Sequence, residues 1–383
     1  MLYADYNGSA PLLSEVKEFL KMRLESDLFA NPNALHSMGQ KLGKGMEKSR
    51  AIIADAVGAH PDQIIFTSGS SESCSTVIHS VLEYSDKKIV ITSPLEHPSV
   101  GKALNWYAER RGIKVLKTKI DRNGVVDVAD LKELLEKNKG QVALVTIMSS
   151  QNETGVIEPN EEIAALCREH HVPYFPDTTQ FIGKTEFHFE KSGADYAVCS
   201  GHKLGALSGT GFIVAKDPTL IHPLVFGSTQ EKGLRGGTQH YLGIETLAIA
   251  FAYFKENSPK LKDLEIARDW FEKEIKKACP KVVIIGEGAR RLPGTSLIGY
   301  PGLHGQAIQI ELESNDVFVT TSAACVDNQP ETSKVLKEMG VTDEVGRSVI
   351  RISLSTSHGQ KNFELLLPAL KNAYNKLSRI TSY

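Results

Sequence analysis

An excess of charge of either sign is missing from this chain: 44 basic residues stand against 46 acidic ones in 383, a formal net charge of -2. So balanced a surface gives no electrostatic reason to bind nucleic acid or an anionic membrane, and small molecules and other proteins are the expected ligands. Long apolar runs are missing too. No window approaches the ~18 continuous apolar residues of a membrane span, and the opening MLYADYNGSAP lacks the basic stretch and apolar core of a signal peptide. The expectation is a soluble, cytoplasmic protein. Cysteine is sparse and scattered: Cys74, Cys167, Cys199, Cys279 and Cys325 form no CxxC pair, which signals neither a disulfide framework nor a zinc ribbon. No metal site is expected, and any special cysteine must act singly. Internal repeats and low-complexity tracts are absent.

What is present is an ordinary globular balance, 41% hydrophobic and 23% charged, in a length that suits one large and one smaller domain. Between about residues 60 and 215, β-rich runs alternate with helical patterns: QIIFTS, KIVITS, KVLKTKI, QVALVTIMSS, VPYFPD, DYAVCS and GTGFIVA. That alternation implies crossover connections and a mostly parallel sheet of the seven-stranded type in an α/β domain. Before it, SEVKEFLKMRLES and the stretch from His36 to Val57 carry apolar residues at helical spacing, so the chain is expected to open with helices. Two further helical patterns, Gly243 to Glu256 and Pro259 to Ala278, lead into a small α+β domain with strands near VVIIG, GTSLIGY and SVIRISLS. The expected division is 1–257 and 258–383, with segment 1–30 packing on the smaller domain.

Several polar residues fall just past predicted strand ends, where open α/β sheets place their ligands. Ser200-Gly201-His202-Lys203 is a polar turn at the end of a buried strand, and a lysine there can form a Schiff base with an aldehyde cofactor. Asp177 ends VPYFPD, where its carboxylate could pair with a protonated ring nitrogen; a helix N-cap is the competing role. IIFTSGSSES is a strand, a turn at Gly69 and a helix start, which offers backbone donors and the Ser70 and Ser71 hydroxyls to a phosphate. It is no Walker loop, because no Lys-Ser or Lys-Thr follows, and it lacks the spaced glycines of a dinucleotide site. His97 in SPLEHPSV could stack on a ring and relay protons. Asn152 in SQNETG and Gln180 in DTTQ could bond a carboxylate and a phenolic oxygen.

Taken in order, YADYNGSAP, NPNALHSMGQ, IIFTSGSSES, LEHPSV, SQNETGVIEP, FPDTTQFIGK, SGHKLGALSGTGFIV, GSTQEKGLRGGTQ, TSAACVDNQPETSKVL and VIRISLS resemble the cysteine desulfurases. These are a branch of the class V aminotransferases with the aspartate-aminotransferase-like fold. The resemblance spans nearly the whole chain and implies a pyridoxal 5'-phosphate enzyme of fold type I that converts L-cysteine to L-alanine. By that resemblance Lys203 carries the cofactor, Asp177 pairs with its pyridine nitrogen, Gln180 contacts its phenolic oxygen and His97 stacks on its ring. Ser70, Ser71, Ser200 and His202 hold the phosphate, and Thr238 reaches across from the other subunit of a homodimer. Arg351 and Asn152 clamp the substrate carboxylate, for which a guanidinium has the bidentate geometry.

Cys325, among small and polar residues in TSAACVDNQPETS, is the expected nucleophile: its thiolate takes the substrate sulfur as a persulfide, for delivery to a protein acceptor in iron–sulfur assembly or thiolation. His97 is the candidate for handling the thiol proton. The chain departs from the family's usual pattern at Ser70-Ser71, Ser73-Cys74 and Thr356-Ser357. An aminotransferase or selenocysteine lyase with a merely structural Cys325, or a scaffold that binds the cofactor without turnover, are the competing readings.

Overall fold

In the computed structural model, which describes residues 1–321, 331–357 and 359–380, a two-residue strand β1 (Leu2–Tyr3) precedes helices α1 (Ser14–Glu25) and α2 (Ser37–Val57). Strands and helices then alternate through β2 (Ile64–Thr67), α3 (Ser70–Tyr84), β3 (Ile89–Thr92), α4 (Pro98–Arg111), β4 (Lys114–Lys117), α5 (Val128–Lys137), β5 (Val142–Thr146), α6 (Asn160–Glu169), α7 (Phe189–Ser192), β6 (Tyr196–Ser200) and β7 (Gly211–Ala215). Helices α8 (Tyr241–Asn257) and α9 (Leu261–Ala278) follow. The remainder comprises β8 (Val283–Ile284), β9 (Thr295–Gly299), α10 (Gly305–Glu313), β10 (Val317–Phe318), α11 (Lys334–Glu338), α12 (Asp343–Gly346), β11 (Ile350–Ser353) and α13 (Gly359–Ile380).

The large sheet is a mostly parallel α/β sheet. Strand β3 pairs in parallel with β4 and β5, and β7 pairs antiparallel with β2 and β6. The extended stretch 173–177 joins the two halves, with Tyr174 bridged in parallel to Val145 and its carbonyl accepting from Asp195 N at 2.9 Å. Sequence reading makes VPYFPD an ordinary strand, but Pro173 and Pro176 have no N–H to donate, and only a single bridge forms.

Successive residues of the central strands are buried on alternate faces, because both faces of the sheet are covered. Phe66, Ile91, Ala197, Phe212 and Val214 enter a core with Ile53 and Val57 of α2 and Leu247 and Phe251 of α8. Their neighbours Ile65, Val90, Val198 and Ile213 enter the opposite core, against Val77 and Leu82 of α3 and Leu104 of α4. A separate core gathers Phe271 of α9, Ile298 of β9, Ile308 of α10, Ile352 of β11 and Phe363 of α13, around the antiparallel order β11-β9-β8. We propose the division at 257/258 on the strength of these separate cores. Among the described residues, no helix is long and apolar enough to cross a membrane.

Two expectations about the N-terminus need correction. The chain opens with a strand, not a helix: Leu2 and Tyr3 pair in parallel with Val317 and Phe318, through Leu2 N to Asp316 O at 2.7 Å and Ala4 N to Phe318 O at 2.8 Å. Two residues are too few to leave a period-two signal in the sequence. Nor does segment 1–30 pack wholly on the smaller domain. Leu2 and Ala4 enter the smaller core, whereas α1 lies on α8, where the Arg23 guanidinium grips the Glu245 carboxylate at 2.6 Å.

Candidate active site

Between these two anchorages, residues 5–9 cross from β11 to the turn after β6. Asp5 bridges to Ser353, and Asn7 N donates to the Ser353 hydroxyl at 2.9 Å. Farther on, Ala10 N donates to His202 O at 2.8 Å. Gly8 sits where a Cβ would come within 2.3 Å of the Asp5 carboxylate, so the lack of a side chain lets Asp5 fold back over the crossing segment. Lys203 reaches the same segment, donating from Nζ to Asn7 O at 2.7 Å and Gly8 O at 2.6 Å. Gln180 Nε2 donates to that same Asn7 O at 2.9 Å, which brings the Lys203 amine and the Gln180 amide to a common point.

Asp177 is buried, 5% exposed, at the end of the proline-flanked strand stretch. Its Oδ1 accepts from Thr179 N at 2.9 Å and from the Thr179 hydroxyl, a local turn held by one oxygen; no helix begins here, so Asp177 is not a helix N-cap. Asp177 and Lys203 both act on His97. Burial, then the Lys203 charge, hold the imidazole below its usual range, while Asp177 pulls the other way. His97 caps α4: its Nδ1 accepts from Ser99 N at 3.1 Å and lies 2.8 Å from the Ser99 hydroxyl, with Pro98 at the first helical position. A backbone N–H aimed at Nδ1 puts the neutral ring's proton on Nε2.

At the start of α3, Gly69 has φ 148°, a region that favours glycine, and a Cβ there would stand 3.4 Å from the Ser200 hydroxyl. Ser70 Oγ is buried without a hydrogen-bond partner among the described residues. An orphaned hydroxyl at a helix N-terminus, with a second hydroxyl close by, suits an anion. Ser71 is exposed on the first turn. His202 Nδ1 lies 3.1 Å from Ser9 Oγ, and burial followed by the Lys203 and Lys184 charges pushes its ring down to about 4, so it is neutral at neutral pH. Thr238 is exposed, on a segment fixed to α3 by the Arg235–Glu72 ion pair at 2.8 Å.

Arg351 and Asn152 are brought together. Arg351, 6% exposed, donates from Nη1 to Asn152 O at 2.9 Å and from Nη2 to Asp5 Oδ1 at 2.7 Å; its Nε is buried and unpartnered among the described residues. Cys325 lies outside the described residues, but both flanks of its segment are placed. Thr320 and Arg351 exchange backbone hydrogen bonds, the shorter being Arg351 N to Thr320 O at 2.6 Å. Beyond the segment, the Ser333 hydroxyl donates to Glu153 Oε2 at 2.7 Å, next to Asn152.

Asp5, Asn7, Lys184 and Glu153 belong to this site and were given no role from the sequence, although YADYNGSAP, FIGK and SQNETG all contain them. Their signal was the motif itself; what each touches depends on the crossing of segment 5–9, which no local pattern encodes. Glu153 carries a measurable consequence. Burial lifts its carboxyl to about 7 from an ordinary 4.5, against the opposing Ser333 hydroxyl and Arg351 charge. A raised carboxyl favours the folded state while protonated, so its contribution is complete below about pH 4.5 and is lost as pH rises through about 7. Glu153→Gln is therefore expected to gain stability relative to the wild type between pH 5 and 8, by up to about 3 kcal/mol. Urea unfolding of both proteins across that range checks it, and parallel curves would contradict it.

The chain belongs to the class V aminotransferase family, whose pattern it matches over residues 2–366. Within that family it is 33% identical to the cysteine desulfurase IscS of Dictyoglomus turgidum, across 100% of this chain and 96% of that protein. Among solved structures it superimposes on a NifS-like protein with a TM-score of 0.88 at 30% identity, covering 98% of this chain and 99% of the other. It also resembles SspA in complex with cysteine, with a TM-score of 0.80 at 27% identity over 93% of this chain and 99% of that one.

Proposed function

We propose that this protein is a cysteine desulfurase that uses pyridoxal 5'-phosphate to convert L-cysteine to L-alanine and carries the released sulfur on Cys325. The observation that carries the reading is the placement of both ends of the Cys325 segment, at Arg351 and beside Asn152, around the same site that gathers Lys203, Asp177, Gln180 and His97.

The residues fit the cofactor. The orphaned Ser70 hydroxyl, the α3 N-terminus, Ser71, Ser200 and His202 would hold its phosphate, with Thr238 supplied by the partner subunit of a homodimer. Phe226, 83% exposed near that segment, supports a covered interface in such a dimer. Asp177 would hold the ring nitrogen protonated with the oxygen that Thr179 does not occupy, His97 would lie on the ring, and Gln180 would donate to the phenolic oxygen. When bound, pyridoxal phosphate supplies an electrophilic carbon for the substrate amine and an electron-accepting ring for the bond broken at the α-carbon.

The protein's own groups do the rest. Arg351 and Asn152 bind the substrate carboxylate, which competes with Asp5 for the guanidinium. Lys203 moves the α-proton: its amine, once released from the cofactor, is the base nearest the site, and the Asn7 and Gly8 carbonyls steady its protonated form. The thiolate of Cys325 attacks the substrate sulfur, the carbon–sulfur bond breaks, and the sulfur remains on the enzyme while the carbon skeleton leaves as alanine after protonation. With Nδ1 committed to capping, His97 offers a proton from Nε2 more readily than it accepts one there; taking up the thiol proton requires Nδ1 to leave Ser99 N. The persulfide would pass to a protein acceptor of iron–sulfur assembly or thiolation.

Incubating the cofactor-loaded protein with cysteine tests the reading. Equal amounts of alanine and, with a reductant present, sulfide are expected; pyruvate or a transaminated product with no sulfide would overturn it.

A further inference from the structure

Lys184 is a second lysine in the site, four residues beyond Gln180, and none of the roles assigned so far uses it. Its Nζ meets three oxygens: Gln180 Oε1, Asn7 Oδ1 at 2.8 Å and Tyr6 O at 3.5 Å. The amide orientations are over-determined. Asn7 Nδ2 donates to Asn152 O at 3.3 Å and to the Thr295 hydroxyl at 3.0 Å, and a main-chain carbonyl can only accept, so Asn7 Oδ1 must face Lys184. Gln180 Nε2 likewise donates to Asn7 O, which leaves Oε1 for Lys184. Turning the Gln180 amide over would set its N–H groups against the Lys184 amine and its oxygen against Asn7 O, losing both bonds.

We propose that Lys184 is a positioning residue: by holding Gln180 Oε1 it keeps the Gln180 N–H groups turned toward Lys203 and the phenolic oxygen of a bound pyridoxal phosphate. The inference rests on the functional reading above and deepens it. Gln180 has two amide hydrogens; one meets Asn7 O, beside the Lys203 amine, and the other remains for the cofactor. The groups acting on Lys184 fit a donor held in place. Burial pushes its amine well below the ordinary lysine range, the Lys203 and Arg351 charges push the same way, and Asp5 opposes them. Charged, the amine has three N–H groups for the three oxygens; neutral, it keeps two, enough for Gln180 Oε1 and Asn7 Oδ1.

A fixed donor at the phenolic oxygen favours the more negative form of the lysine-linked cofactor, so it lowers the pH at which that linkage loses its proton. Loss of the donor raises it. The test is a pH titration of the visible absorbance of the cofactor-loaded protein. Lys184→Met is expected to move the midpoint upward by about half a unit or more, and the same substitution in a Gln180→Leu background is expected to move it no further, because the effect runs through Gln180. An unchanged midpoint in loaded Lys184→Met, or a full additional shift in the Gln180→Leu background, overturns the proposal. If methionine at 184 prevents folding, Lys184→Arg carries the test. It keeps a donor on Gln180 and should retain the wild-type midpoint; a rise as large as that of Gln180→Leu overturns the proposal. The wild-type protein is read first: absence of any cofactor band there would sink the functional reading itself, not the role of Lys184 within it.

Discussion

Lys203→Ala is expected to reduce cysteine turnover by at least about a thousandfold, the scale of a positioned proton-transfer group, with the fold retained. Lys203 is asked to do two things no neighbour can do for it: link the cofactor, and move the proton at the substrate α-carbon. Lys184 is a second amine at the site, but its Nζ is committed to Gln180, Asn7 and Tyr6. The fold survives because Lys203 follows the buried strand β6 on a short turn and contributes two hydrogen bonds to the main-chain carbonyls of residues 7 and 8, at a cost of about 1–3 kcal/mol when they are lost. Added cofactor should then bind the variant reversibly and wash out on dialysis, whereas it stays with the wild type. Steady-state alanine release, read beside circular dichroism, checks both parts. A folded variant with turnover within tenfold of the wild type would remove Lys203 from its proposed role.

Cys325→Ala is expected to stop sulfide release, with a loss of at least about a hundredfold, and to leave the cofactor's visible absorbance unchanged. The reasoning is chemical. Lys203, Asp177 and Arg351 can bind the amino acid and labilise its α-proton without a thiol, but breaking the carbon–sulfur bond so that the carbon skeleton leaves as alanine needs a nucleophile to take the sulfur. The other four cysteines are buried, and burial pushes the thiols of Cys74, Cys167 and Cys199 upward, away from the reactive thiolate. None of them can replace Cys325 as the nucleophile. Undiminished turnover in the variant would favour the aminotransferase or selenocysteine lyase reading, in which this cysteine is only structural.

The sequence made the repeating parts of this molecule legible. Period-two and period-3.6 patterns located β2 through β7 and helices α2, α8, α9 and α13, because those elements bury one or both faces over enough residues to leave a pattern. The strand at 173–177 looked regular because its apolar run is continuous, yet its two prolines reduce it to a single bridge. The pairing of β1 with β10 left no trace at all, since two residues have no period. The site followed the same division. Lys203, Asp177, His97 and Gln180 stand just past strand ends, where topology alone marks them as cleft residues. Asp5 and Lys184 do not. A charged residue in a short motif looks like solvated surface, and only the passage of segment 5–9 through the site turns Asp5 toward Arg351 and Lys184 toward Gln180.

The most direct test of the central claim is borohydride fixation of the bound cofactor followed by peptide mass mapping. A pyridoxyl-phosphate mass on Lys203, and on no other lysine, is the predicted result. The same mass on Lys184, or no fixed cofactor in a protein that turns over cysteine, would contradict it.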